Sequence, residues 1–384
     1  MKIGKYGTWR VGTENKFFYN KRDALIYASQ SNQQVSYHWH DSIWDSFNRN
    51  ELGKKKLSEL YRERAQQLRD TYDFLSLHYS GGADSHNILM SFINNNIHLD
   101  HVYVNWPKKI IGTSLYTPNT EDLSAQNILS EWDFAIEPTL RWLLKTHPNI
   151  KIEVCDWTEN LKESFYKNDD NFLKCVGWWN VGGILRNANK SNISQKMSDK
   201  GYSVASIYGF DKPNLVVTKE NNVGMCFYDT SFMTASNIVG NFEPFYWSPN
   251  LPLLSFEMAH QLFLHYDKNP EIRKYLREEK LNLNTEKEIR TEVKVQFNND
   301  LTKFICYSKT WPFGRFQAKK PFDGKRKDRD NWIHSNHQFE KIIETWNYHH
   351  EGFLQEIKQD FFNKKQSLKT IHTKMFYIGK FNTI

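Results

Sequence analysis

Between residues 73 and 157 the chain switches repeatedly between two hydrophobic periods. "FLSLHYS" is a short apolar run that reads as a buried strand, and a helical pattern follows from Asp84 to about Asn95. "LDHVYVNWP" reads as a second buried strand, stopped by Pro107. "EDLSAQNILSEWDFAIEPTLRWLLKTH" is helical, with Pro138 forcing a kink or a break, and "IKIEVCDW" (150–157) is a third strand. Strand, helix, strand, helix, strand predicts right-handed βαβ units and a mostly parallel sheet flanked by helices. Ligands of such sheets bind at the carboxyl ends of the strands. Here those ends carry "SGGADS", "NWP" and "CDW".

The flanking segments extend this α/β reading. Residues 1 to about 50 mix aromatic, strand-like runs ("KFFYN", "QVSYHWH") with polar breaks. In "ELGKKKLSELYRERAQQLRDTY" the residues Leu57, Leu60, Tyr61, Ala65 and Leu68 fall at helical spacing. Residues 108–120 are loop-like, and 158–200 look helical with loops. "GYSVASIYGFDKP" predicts a fourth strand ending at Gly209, "LVVTKENNVGMCFYD" a hairpin turning at Asn221-Asn222, and "LPLLSFEMAHQLFLHY" a helix. The remainder reads as helical and basic. The expected organisation is an N-terminal extension (1–72), a central α/β domain (73–250) and a helical, basic C-terminal region (251–384).

Composition narrows the class. With 39% hydrophobic and 25% charged residues, the chain is not broadly disordered. No stretch approaches the ~20 apolar residues of a membrane helix, so no membrane partner is expected. "MKIGKYGTWRVG" lacks the apolar segment of a signal peptide. Cys155, Cys175, Cys226 and Cys306 form no CxxC pair and read as free thiols of a reducing compartment, which points to the cytoplasm. Charge is uneven: residues 301–384 hold 16 Lys and Arg against 8 Asp and Glu, and the rest of the chain 35 against 36. The basic excess, densest in "AKKPFDGKRKDRDNW", marks either a solvated surface or a contact for nucleic acid.

The turn after the first strand is the most informative stretch. Gly81 and Gly82 permit a tight turn and let a ligand approach main-chain N–H groups. The helix that follows offers unpaired donors and a positive dipole end, together an anion cradle suited to phosphate. The lysine of a Walker loop is missing, as is the dinucleotide fingerprint GxGxxG. By itself the turn is also read as a strand-to-helix connection with Asp84 as N-cap.

The string Ser80-Gly81-Gly82-Ala83-Asp84-Ser85 resembles the SGGxDS signature of the PP-loop, or N-type, ATP pyrophosphatases, which include asparagine, GMP, NAD and argininosuccinate synthetases and several tRNA-modifying enzymes. The resemblance is strongest over about residues 60–230. "YRERAQQLRDTYDFLSLHYSGGADS", "YGFDKP" and "FYWSPNLP" are similar to phage-encoded, asparagine-synthase-like proteins. His86 stands where many members place a small or hydroxylated residue. The resemblance implies an adenine nucleotide alpha hydrolase-like fold, with ATP and Mg2+ as ligands. Ser80, Gly81, Gly82, Ala83, Asp84 and Ser85 would grip the pyrophosphate, and Val104 and Asn105 would lie against the adenine. The loop after the fourth strand, from Gly209, would complete the site. There Asp211 would share the metal with Asp84, and Lys212 would contact phosphate and act with Asp84 in catalysis. The implied reaction is adenylation of a substrate oxygen with release of pyrophosphate, followed by displacement of AMP by an amine or ammonia.

Absences shape the subfamily. Lys2 stands where a built-in glutaminase would place its nucleophilic cysteine, so ammonia or an amine would come from a separate nitrogen-donor protein or from solution. Scattered cysteines disfavour sulfur transfer. "YGFDKP" reads equally as a proline turn. "HWHD" (His38, His40, Asp41) puts two histidines on one strand face, more in keeping with a polar sheet edge than a metal site. Glu257 and His260 read as a helix-surface pair. Glu131 and Asp133 are candidates to face the nucleotide, and "WSPNLP" to wall the acceptor pocket. Trp311, Arg315, Phe316, Lys319 and Lys320 can contact nucleic acid or pack the C-terminal region. The leading expectation is an AMP-forming ligase or amidotransferase-like enzyme with a small-molecule or nucleotide acceptor. A tRNA- or phage-DNA-modifying enzyme and a non-catalytic ATP-binding subunit are the alternatives.

Overall fold

The chain begins with a small antiparallel sheet. β1 (Thr8–Val11) pairs with both β2 (Lys16–Phe18) and β3 (Val35–His38), and α1 (Lys21–Ser31) packs against it. This computed structural model describes residues 7–13, 16–19, 21–106, 132–156, 191–209, 212–218, 220–229, 242–269, 305–307, 344 and 371–381. After β3 come α2 (Asp41–Asp45) and α3 (Leu57–Thr71). The central unit follows as β4 (Phe74–His78), α4 (Ala83–Ile93), β5 (His101–Trp106), α5 (Glu137–Thr146), β6 (Lys151–Asp156), α6 (Asn192–Asp199) and β7 (Val204–Tyr208). Then come the hairpin strands β8 (Asn214–Val217) and β9 (Asn222–Cys226), β10 (Phe242–Pro244), α7 (Pro252–Asp267) and β11 (Phe376–Lys380). Among the described residues no helix is long and apolar enough to cross a membrane.

Five of these strands form one all-parallel sheet in the order β10-β7-β4-β5-β6, which makes the fold α/β. The predicted strands are present within a residue or two, and Pro138 sits in the first turn of α5, directly after a π-helical turn at Trp132–Ile136. The chain runs outward from β4 through β5 to β6, then returns to place β7 on the other side of β4. The carboxyl end of β4 is therefore the topological switch point, where open parallel sheets form their ligand crevice.

The two faces of this sheet differ. Leu75, Leu77, Val102, Val104, Ala205 and Ile207 share one face and are buried in the main core with Leu60, Leu68, Ile88, Leu89 and Phe92 of α3 and α4. The alternate positions are unusually polar for a parallel sheet, whose faces are normally both apolar. Ser76 Oγ lies 2.8 Å from His101 Nδ1, and His101 Nε2 lies 3.4 Å from Glu153 Oε2. Glu153 in turn accepts from Ser191 Oγ (2.6 Å) and from the Asn192 and Ile193 N–H groups (2.9 and 3.2 Å), capping α6 with a carboxylate. Burial pushes the Glu153 carboxyl up, but hydrogen bonds from His101, Ser191, Ile193 and Cys155 outweigh it and hold it at about 2.

The flanking regions are stitched to the centre. Arg64 of α3 is buried, pairs with Glu243 of β10 at 2.8 Å and donates to the Pro244 carbonyl at 3.0 Å. Lys21 of α1 forms a buried pair with Asp229 at 2.7 Å, and Asp229 also accepts from Trp9 Nε1 (3.1 Å) and the Ile371 N–H (2.7 Å). One carboxylate thus ties the N-terminal sheet, the segment after β9 and the C-terminal segment together. Trp247 is core rather than pocket wall: it is buried 4.7 Å from Trp39 and 5.7 Å from Phe227, ring to ring.

Several expectations need correction. Residues 376–380 of the supposedly helical C-terminal region form β11, antiparallel to β9 in a three-stranded sheet with β8. Phe376 and Ile378 are buried while Tyr377 between them is exposed, a period-2 pattern. The hairpin turn lies at Thr218–Asn222, with Asn221 at φ 64°. His40 leaves the strand of His38 through a left-handed residue (φ 53°). His38 meets Asp41 at 2.8 Å, and Asp41 also accepts from the Trp39 N–H at 3.0 Å. Glu257 is not a surface residue: it is fully buried and accepts from the Gly53 N–H at 2.8 Å.

Candidate functional site

The site is built at the end of β4. Gly81 adopts φ 72°, a left-handed conformation that favours glycine, and Gly82 is the N-cap of α4 with no side-chain cap hydrogen bond. Asp84 is therefore inside the first turn and not the N-cap. Ser85 is buried and its hydroxyl works within the turn: it donates to the Gly82 carbonyl (3.0 Å) and accepts from the Ser80 N–H (3.2 Å). Ser80 Oγ accepts from the Gly82 N–H at 3.4 Å. The two serines close the loop on itself, with the Gly82 N–H turned to Ser80, and the N-cap glycine has no side chain to compete for the N–H groups of the first turn. That donor set suits an anion.

The loop after β7 meets this turn. Lys212 Nζ lies 2.9 Å from Asp84 Oδ1, with both side chains mostly buried. Lys212 is thus on the same side of the sheet as the glycine turn, 128 residues along the chain from its partner. Gly209 lies beneath the first turn of α4, where a Cβ would meet Asp84 Cβ at 3.1 Å and the Asp84 carbonyl carbon at 3.2 Å. Gly209 therefore allows β7 and α4 to approach closely enough for the Lys212–Asp84 contact. Asp211 lies outside the described residues, as do Glu131 and the basic cluster around Lys319. Among the described residues no group of three or more His, Cys, Asp and Glu is arranged to hold a metal. One carboxylate plus phosphate oxygens is nevertheless a usual Mg2+ arrangement, so Asp84 suits a metal that arrives with a phosphate.

Val104 and Asn105 end up differently. Val104 is fully buried on the apolar face under α4. Asn105, next along β5, is on the polar face, and its Oδ1 is shielded from solvent without a hydrogen-bond partner among the described residues. A buried, unmatched acceptor beside the switch point suits a ligand with an amino group. Nearby on the same face, the His78 ring stacks on Tyr208 at 4.0 Å. Burial and the neighbouring His101 push His78 down to about 3, so it is neutral at pH 7.

Two site residues carry no sequence signal. Tyr246, after β10, donates to the Asp84 main-chain carbonyl at 2.7 Å, and Tyr307 donates to Asp84 Oδ1 at 2.7 Å. Their rings stack at 5.5 Å, and the Lys212 ammonium lies 5.5 Å from the Tyr307 ring centre. Burial and the charge of Asp84 hold both hydroxyls well above the ordinary tyrosine range, so both remain donors. Tyr246 falls within the FYWSPNLP string, which assigns it no role, Tyr307 falls within no local motif, and only the three-dimensional fold brings them to Asp84. His86, buried and 3.2 Å from the Tyr79 hydroxyl, is held at about 3 by burial and belongs to the helix core behind the turn.

No family model matches the chain, and no curated protein matches it.

Proposed function

We propose that the turn from Ser80 to Ser85, with Lys212, binds the pyrophosphate end of ATP, and that the chain is an AMP-forming ligase of the PP-loop type. The observation that carries this reading is the meeting of Asp84 and Lys212 at the switch point of an all-parallel sheet, over a glycine-capped helix end. The SGGADS string adds the resemblance to PP-loop enzymes, and the sheet with its flanking helices is compatible with an adenine nucleotide alpha hydrolase-like fold.

In this reading the main-chain N–H groups of the turn and the Lys212 ammonium hold the β- and γ-phosphates. Asp84 would hold Mg2+, which would neutralise charge on the leaving pyrophosphate. Asn105 accepts a hydrogen bond from the adenine amino group. An oxygen of the acceptor attacks the α-phosphorus, the bond to the bridging oxygen breaks and pyrophosphate leaves. An amine or ammonia then displaces AMP from the adenylated acceptor. Lys212 offsets the charge that builds on the leaving group, the kind of contribution that fixed donors make most strongly in a water-poor site. The excess of 16 basic over 8 acidic residues in 301–384 favours, as a second reading, a nucleic acid as the acceptor.

Calorimetric titration with magnesium pyrophosphate and with Mg-ATP tests the binding half. Saturable binding that weakens in Lys212→Ala is expected, and equal binding by the variant would remove Lys212 from the site.

A further inference from the structure

We infer that Tyr307 is a positioning residue that holds the Asp84 carboxylate in place at the glycine turn while Lys212 exchanges Asp84 for a bound phosphate. The inference rests on the pyrophosphate-binding reading above. Asp84 has two different anchors. Tyr246 fixes its main chain through the carbonyl, and Tyr307 fixes its side chain through Oδ1, each at 2.7 Å. The side-chain anchor shares Oδ1 with Lys212, at 2.9 Å. A lysine that turns toward phosphate withdraws its own contact with Oδ1, while the tyrosine hydroxyl stays in place. A carboxylate on a first helical turn otherwise has several rotamers available, and a hydrogen bond to a charged group is strong enough to select one.

The anchor is itself rigid. Tyr307 is buried in a triangle of three tyrosines: its ring lies 5.5 Å from Tyr246 and 6.4 Å from Tyr61, and those two lie 6.0 Å apart. The Tyr61 hydroxyl, from α3, donates to the Cys306 carbonyl at 2.8 Å and pins the segment that carries Tyr307. Burial pushes the Cys306 thiol up to about 12, so it stays neutral beside Lys212 and does not compete for the ammonium. This tyrosine cluster therefore delivers a hydroxyl from residue 307 to a carboxylate at residue 84, with no charge of its own.

The test is calorimetric titration of pyrophosphate with and without Mg2+, on wild type, Tyr307→Phe and Tyr61→Phe. Tyr307→Phe keeps the ring stack and loses only the hydroxyl. We expect it to melt near wild type and to lose about tenfold in affinity for pyrophosphate with Mg2+, as fits one hydrogen bond to a charged group, with no change when Mg2+ is left out. Tyr61→Phe loosens the segment at Cys306 but leaves the Tyr307 hydroxyl in place, so it should lose less Mg2+-dependent affinity than Tyr307→Phe. Wild-type affinity in Tyr307→Phe would overturn this inference alone, and so would an equal loss in Tyr61→Phe, which would make the tyrosine cluster mere packing. Absence of Mg2+-dependent pyrophosphate binding in wild type would overturn the functional reading and this inference together.

Discussion

Gly209 is packed so close to Asp84 that a side chain on the glycine would crowd it. A Cβ at residue 209 would lie 3.1 Å from Asp84 Cβ, 3.2 Å from the Asp84 carbonyl carbon and 3.2 Å from Ile88 Cδ1. The end of β7 and the first turn of α4 are thus set by the absence of one methyl group, and the Lys212–Asp84 pair depends on that approach.

Gly209→Ala should therefore shift α4 by a few tenths of an ångström and cost about 1–3 kcal/mol, the usual range for overpacking. Its pyrophosphate affinity should fall along with its melting temperature. A variant with unchanged stability and unchanged affinity would show that the contact gives way freely.

Lys212→Ala should cost stability on the order of a few kcal/mol, since it strips one partner from a mostly buried ion pair and leaves the Asp84 carboxylate to the Tyr307 hydroxyl. Turnover should fall by about 10²–10³, the loss seen when one donor to developing charge is removed. Chemical denaturation and a pyrophosphate-release assay on the same samples separate the two effects.

His86 makes stability depend on pH. In the unfolded chain its imidazole takes a proton near pH 6.5, in the folded protein only near 3. Between these values the unfolded state binds more protons, so folding stability falls as pH drops from 6.5 toward 3. His78 acts in the same direction, also from 6.5 to about 3. His86→Leu should reduce the slope of stability against pH by up to about 1.4 kcal/mol per pH unit between pH 6 and 4, with His78 and, toward pH 4, Glu153 contributing to what remains. Urea unfolding at stepped pH reads that slope, and an unchanged slope would mean His86 is already protonated in the folded protein.

The central sheet was legible because local pattern decides it. The apolar runs of β4, β5, β6 and β7 are short, bounded by turn residues and separated by helical periods. The glycine turn was legible because its chemistry is contiguous in six residues. The polar face of the sheet was harder to read, since Ser76, His101 and Glu153 lie on three strands and make sense only once those strands are paired. α1 escaped notice because its apolar positions Ala24, Leu25 and Ala28 are few and weakly contrasted with their neighbours. Tyr246 and Tyr307 could not be found from sequence, because 162 and 223 residues separate them from Asp84.

The most direct test of the account is the fate of the α-phosphate. The chain is incubated with ATP labelled at that position, Mg2+ and the small-molecule fraction of a cell extract, and the labelled products are separated by chromatography. The account predicts label in AMP or an adenylated product, pyrophosphate in matching amount, and neither from Asp84→Asn. Label in ADP with release of phosphate, or the same AMP yield from Asp84→Asn, would contradict it.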